Sequence, residues 1–223
     1  MQQILKIHIS DVVKFSKGIL FVREEKLDGG EIKVSFYAYD VAENQIAPIT
    51  KSVYLLNKFG RSFKPIEKQL GDYVSCDAGR LPDGGAAVIY TTGEMGIFTG
   101  SGELKWTGDL LYHGCPARDI AVENKHIWSV VPDMKAVIRY SVTANKVVMR
   151  IGGGSTGTFQ KPVSVSEYEN VLYICDREKF CIKTIDLSDF SVRDYRQFEE
   201  PVHKYLQSAG KEFAVLNSGV YIL

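Results

Sequence analysis

The sequence predicts an all-β fold, a small β-propeller of five four-stranded blades, and three observations carry that expectation. Aromatic and β-branched residues recur in short alternating runs separated by Gly, Asp, Asn and Pro, and no long stretch keeps the i, i+3, i+4, i+7 spacing of an amphipathic helix. A unit of four strands and polar turns recurs along the chain at close to the period of a propeller blade. The last copy stops one strand short, while the chain opens on a strand that no copy uses.

Taken in order, the first unit spans residues 11–60 and begins DVVKFSKGILFVREEK; it is the loosest copy. The second, 72–110, begins DYVSCDAGR and closes on GSGELKWTG. Between them SFKPIEKQL, Ser62 to Leu70, reads as one short helix or an irregular insertion, because Pro65 and a Glu/Lys-rich turn interrupt the strand pattern. The third unit (116–154) and the fourth (162–198) start at Pro116 and Pro162, 46 residues apart. Their strands align as IAV with VSV, HIWSVV with VLYICD, VIRYSV with IKTIDL, and KVVMRI with SVRDYR. The fifth opens at Pro201, 39 residues on, and ends at VYIL after three strands. ILKIHI, Ile4 to Ile9, is expected to supply its fourth strand, so that residues 201–223 and 1–9 make one blade and no long edge stays open. A single domain, 1–223, follows.

Bulk composition bounds the function. Lys plus Arg and Asp plus Glu both total 27, so no global field steers the chain to nucleic acid or an acidic membrane. No run of eighteen apolar residues is present, and Lys6 and His8 interrupt the N-terminal apolar stretch, which predicts a cytoplasmic protein. Cys76, Cys115, Cys175 and Cys181 lack C-x-x-C spacing and read as free thiols in a reducing compartment.

RIGGGSTGTFQKPVSV, from Arg150 to Val165, carries G-x-G-x-x-G at Gly152, Gly154 and Gly157, with Asp176 placed near where a ribose-binding acid would stand. A dinucleotide turn needs a helix directly after the glycines. Pro162 and the V-S-V alternation predict a strand there instead, and no Gly-Lys-Ser/Thr follows, so the segment reads as a connector between blades.

Once Gly152, Gly153, Gly157, Phe159, Pro162, Tyr173, Asp176 and Ile182 are set out, residues 150–187 resemble one NHL repeat; the likeness is fair over 111–150 and weak elsewhere. GSGELKWTG is more similar to the repeats of quinoprotein-like propellers. The NHL resemblance implies a ring of blades with functional loops at one end of a central channel, and some relatives of that kind bind metal or RNA.

Neither G-x-S-x-G nor another nucleophile signature is present, and Cys115, two residues after His113 on what reads as extended chain, is not placed for proton transfer to it. The expectation is therefore a non-catalytic scaffold, without cofactor, that binds a protein or peptide through the loops at one channel end. Tyr112, His113, Arg118, Asp119, Lys161, His203 and Tyr205, all near blade entries, are the candidate contacts. The alternative is a metal-dependent hydrolase or lyase similar to lactonase propellers, holding Ca²⁺ or Zn²⁺ with Asp11, Asp72, Asp119, Glu200 and His203, and Ser164 or Lys161 from the fourth blade. His8, expected on the outermost strand, and His126, expected in a hairpin turn, stand apart from that set. A carbohydrate-binding propeller would repeat an aromatic platform once per blade, and Trp106 and Trp128 do not match in position. An RNA face would draw on Lys161, Arg177, Lys179, Lys204 and Tyr205, but Glu178, Glu199 and Glu200 intervene. Nothing in the residues fixes the oligomeric state.

Overall fold

The computed structural model describes residues 1–15, 18–28, 32–40, 42–49, 76–90, 93–101 and 103–223. The anticipated helix or insertion at 62–70 and Asp72 lie outside the described residues. The chain is all-β, with five four-stranded antiparallel sheets arranged as the blades of a β-propeller. Sheet one is β2 (Asp11–Phe15), β3 (Gly18–Lys26), β4 (Ile32–Asp40) and β5 (Gln45–Ile49). Sheet two is β6 (Cys76–Arg80), β7 (Ala86–Tyr90), β8 (Glu94–Phe98) and β9 (Leu104–Asp109). A small hairpin, β10 (Leu111–Tyr112) and β11 (Cys115–Pro116), leads into sheet three: β12 (Arg118–Glu123), β13 (His126–Val131), β14 (Ala136–Ser141) and β15 (Lys146–Gly152). Sheet four is β16 (Pro162–Tyr168), β17 (Val171–Asp176), β18 (Cys181–Asp186) and β19 (Val192–Gln197). Sheet five runs β20 (Val202–Ser208), β21 (Lys211–Leu216), β22 (Gly219–Ile222) and then β1 (Gln2–Leu5). Two compact units are distinguished, Met1–Tyr73 with Gln207–Leu223, and Val74–Leu206. Among the described residues no helix is long and apolar enough to cross a membrane.

In the first unit, β1 pairs with β22 through Gln2↔Ile222, Gln3↔Tyr221 and Leu5↔Val220, so the N-terminal strand does complete the last sheet. It is earlier and shorter than the Ile4-to-Ile9 expectation, and His8 lies beyond it, off any strand. Gly219 makes the close approach possible: a Cβ there would lie 2.0 Å from the Leu5 carbonyl oxygen, and its φ of 143° disfavours any L side chain.

In the second unit, apolar residues alternate between the two faces of sheet three, and both faces are covered. Ile127, Val131 and Ile138 pack with Ala87, Ile89 and Ile97 of sheet two. Trp128, Val130 and Val137 pack with Val165, Leu172 and Ile174 of sheet four. A strand sandwiched in this way gains from every residue, at about 2 kcal/mol for each large aliphatic side chain removed from water. Wholly buried Trp128 cannot serve as a sugar platform.

The hairpins Glu123/His126 and Tyr168/Val171 set an offset of 45 residues between the third and fourth sheets. The second and third strand pairs and the ends of the fourth align as the sequence suggests, although the fourth strands bulge at different residues, Val148 in β15 and Tyr195 in β19. The first pair does not align, since Ile120 opposes Ser129 and Val165 opposes Ile174, so Ile120 corresponds to Val165 and not to Val163. Each first strand also carries a bulge nearer its head, at Asp119 in β12 and at Val163 in β16.

One local device recurs that the alignment passed over. Between the third and fourth strands, Y-x-V-x-x-N occurs at Tyr39–Asn44 and again at Tyr140–Asn145. In both, the Tyr hydroxyl donates to the Asn Oδ1 and the Asn sits in the left-handed region, at φ 54° and 51°. The second residue caps the turn: Asp40 Oδ1 accepts the Ala42 and Glu43 N–H groups, and Ser141 Oγ accepts that of Ala144.

On sheet three, Glu123 Oε2 accepts from Arg139 Nη2 at 2.8 Å and from Trp128 Nε1 at 3.2 Å, with the guanidinium 5.4 Å from the Trp128 ring centre. Burial alone would raise the Glu123 carboxyl, but the Arg139 and Trp128 hydrogen bonds together hold it below the usual carboxylate value.

Two outcomes are expected. Gly219→Ala, or removal of residues 1–9, should lower the urea midpoint with an effect of about 3 kcal/mol for the point variant; unchanged unfolding would refute the β1–β22 closure. A carboxylate whose pKa is depressed on folding contributes stability above its unfolded pKa and loses it as pH falls through the folded value. Glu123→Gln should therefore cost about 1 kcal/mol near neutral pH and nothing in strong acid, read from melting at a series of pH values.

Candidate functional site

The first strands β6, β12 and β16 lie side by side in the second unit, which brings the heads of successive sheets together. All seven predicted contact residues fall in this unit. At the head of β12 the chain bulges at Asp119, whose φ of 53° lies in the left-handed region that Asp enters more readily than most residues. Ser129, buried on the neighbouring strand, steadies the bulge: its hydroxyl donates to the Asp119 carbonyl at 2.7 Å and the Arg118 carbonyl at 3.1 Å.

The bulge turns the Asp119 carboxylate inward. Its Oδ2 accepts the Val165 backbone N–H of β16 at 3.0 Å, and its Oδ1 is 3.1 Å from Lys204 Nζ of β20. Both side chains are largely withdrawn from water, at 6% exposure for Asp119 and 16% for Lys204. The first strands of sheets three, four and five are thus tied by one carboxylate. Beside it, burial first and then the Asp119 charge push the Cys175 thiol far up, against a smaller opposing pull from Lys204 and the Ser164 hydroxyl. Burial likewise raises the Cys181 thiol. Both are protonated and inert near neutrality.

The sequence-predicted residues separate into three groups. Asp119 is buried and engaged as described. Tyr205 is also buried, at 1% exposure, tilted against Tyr173 at 4.7 Å and edge-on to Tyr195 at 6.0 Å, so it supports the exposed Tyr195 ring and offers no surface of its own. His113, Arg118, Lys161, Tyr112 and His203 keep solvent access. His113 and Gly114 form the two-residue turn of β10–β11, both with positive φ, and the Tyr112 ring meets the imidazole edge-on at 4.4 Å. The chain is a tight hairpin there, not the extended segment expected between His113 and Cys115. The surface cluster drawn for RNA also fails to assemble, because Lys204 and Tyr205 are turned inside.

Of the candidate metal ligands, Asp11 and Asp119 have partners within the chain. Asp11 Oδ1 accepts the Val12 N–H at 2.7 Å, and burial followed by the Asp11 charge raises the Glu24 carboxyl. Asp72 lies outside the described residues, and among those described no three His, Cys, Asp or Glu side chains come together as a ligand set.

Asp176 explains the glycine-rich segment. Wholly buried, its carboxylate accepts the N–H groups of Gln160 at 2.7 Å, Lys161 at 2.9 Å and Lys179 at 3.3 Å. Lys179 Nζ donates to the Gly157 carbonyl at 2.6 Å, and the Gly153 N–H goes to the Lys135 carbonyl at 2.9 Å. Between β15 and β16 the segment contains a three-residue 3₁₀ turn, Gly154–Thr156, and no α-helix, and β16 begins at Pro162. It is a connector from β15 to β16. Gly152 is required because a Cβ would lie 2.7 Å from the Phe159 ring that plugs the connector. The Gly153, Gln160 and Lys161 N–H groups are all hydrogen-bonded within the chain.

No protein-family model matches the sequence, and no curated protein matches it as a relative. Similar solved structures are propellers in arrangement. A catalytically inactive variant of virginiamycin B lyase from Staphylococcus aureus with quinupristin matches at TM-score 0.54 and 12% identity, over 94% of this chain and 78% of that one. The selenomethionine form of the same lyase gives 0.53 and 10%, over 97% and 77%. Saccharomyces cerevisiae Sqt1 gives 0.52 and 7%, over 96% and 72%. These likenesses show the fold.

If the Asp119–Lys204 link holds the strand heads together, Lys204→Met should destabilise the protein by about 3 kcal/mol by leaving a buried carboxylate without its cation. Asp119→Asn in the same chain should recover much of that loss, since the amide oxygen still accepts the Val165 N–H. A double-mutant cycle by urea denaturation with no coupling would sink the link.

Proposed function

We propose that the protein is a single-domain, NHL-like propeller of the cytoplasm that binds a protein or peptide partner without catalysing a reaction. The observation that carries this reading is the internal use of the central polar groups. Asp119 and Lys204 neutralise each other, and the Cys175 thiol is held protonated, so the groups best placed for chemistry serve to fix strands. Rigid sheets with solvent-accessible side chains at strand ends and in connections suit recognition. The contact set that remains is Tyr112, His113, Arg118, Lys161 and His203.

Peptides selected by display against the purified protein provide the test. His113→Ala, Arg118→Ala and His203→Ala should each weaken the selected peptides about tenfold or more with melting unchanged, as expected where a few anchors dominate. Stoichiometric metal on elemental analysis, or a rise of several degrees in melting with Ca²⁺ or Zn²⁺, would overturn this reading in favour of a metal-dependent hydrolase or lyase.

A further inference from the structure

The connector between β15 and β16 gathers cations at one end of sheets three and four. Lys135 accepts the Gly153 N–H with its carbonyl, and Arg150 Cδ would lie 3.5 Å from a Cβ at Gly153, which places both along the first half of the connector. Lys161 closes the second half, and the Arg177 N–H donates to the Lys161 carbonyl at 2.9 Å. Lys179 Nζ is bound to connector carbonyls, so its charge is fixed at the same edge. Arg150 and Arg177 are exposed. Lys161 pairs with Glu178 at 3.4 Å, but both side chains are nearly half exposed, and such a pair yields readily to a competing carboxylate. The turns and adjoining strand ends at the other end of sheet four carry Glu167, Glu169, Asp186 and Asp189, so charge is polarised along that sheet.

Chain flexibility is not what makes the strip. Asp176 and Phe159 pin the connector from inside, so Gly154, Ser155, Gly157 and Gln160 are held at the surface as a polar ledge between cations. Phe180, 36% exposed on the neighbouring turn, adds one apolar contact. Glu178 and Asp133 interrupt the cations, which disfavours the unbroken run of phosphates in a nucleic acid; spaced carboxylates with one apolar residue meet the strip better.

We infer that this ledge binds an extended acidic peptide segment of a partner, its carboxylates meeting Arg150, Lys161 and Arg177 and an apolar side chain meeting Phe180. The inference rests on the recognition reading above and names the chemistry of its partner. The test uses fluorescence anisotropy with three labelled probes: a ten-residue Glu/Asp peptide with one central Leu, its Lys counterpart, and a single-stranded RNA of equal charge. The acidic peptide should bind, and its affinity should fall about tenfold between low and physiological salt. Arg150→Glu with Arg177→Glu should abolish that binding without changing melting, while Lys125→Glu with Lys146→Glu at the opposite end should leave it intact. No binding of the acidic peptide, equal binding of the Lys peptide, tighter binding of the RNA, or insensitivity to the Arg150/Arg177 reversals would each overturn the inference. Display-selected peptides of other composition that depend on His113 and His203 would overturn it too, while leaving the recognition reading standing.

Discussion

One buried carboxylate organises the heads of three sheets. A bulge that tips a residue into the left-handed region is ordinarily a weak point, yet at Asp119 it aims a charged group at the backbone of β16 and the ammonium of β20. Ser129 bridges the carbonyls exposed by the irregularity, so the local cost is met within β12 and β13. Everything around it inherits a fixed geometry: the first strands cannot slide against one another without parting an ion pair that is mostly shielded from water. The same charge helps to keep the Cys175 thiol protonated, so a group that would otherwise invite chemistry becomes core.

Much of this architecture is legible in the sequence because the fold is repetitive. A unit that appears several times reports its strands through agreement between copies, and the extra N-terminal strand follows from the one missing at the far end. Legibility fails where a copy departs from its neighbours by one residue. The bulges at Asp119 and Val163 are such departures, and no alternation rule distinguishes a bulged strand from a regular one of the same length. The Tyr–Asn turn was readable, since Tyr39–Asn44 and Tyr140–Asn145 share their pattern, but the intervening sheet lacks it and the period alone does not expose it.

The candidate site was less legible, for a physical reason. Sequence places residues at strand entries, whereas which of two adjacent residues points inward depends on twist and bulge. Tyr205 and Lys204 are neighbours that both turned out to be internal, while Arg118, next to Asp119, stays in solvent. Asp176 shows the converse. Its spacing from the glycines suggests a ribose ligand, and the same spacing sets it at the end of β17 opposite Pro162, where its carboxylate holds Gln160 and Lys161 at the entry to β16. A motif defined by intervals describes two different chemistries until the element after the glycines is known.

The pairing of β1 with β22 also has a consequence in time. Gln3 Nε2 donates to the Ser218 carbonyl across 215 positions of sequence, and contacts of that separation form late, after the entropy of closing a very long loop has been overcome. Until they form, β22 presents a bare edge of the kind that pairs with extended chains, with the Gly219 notch that admits the Leu5 carbonyl open. The last sheet is therefore the place where refolding should be slowest, and where a second molecule at high concentration could donate its own first strand in exchange.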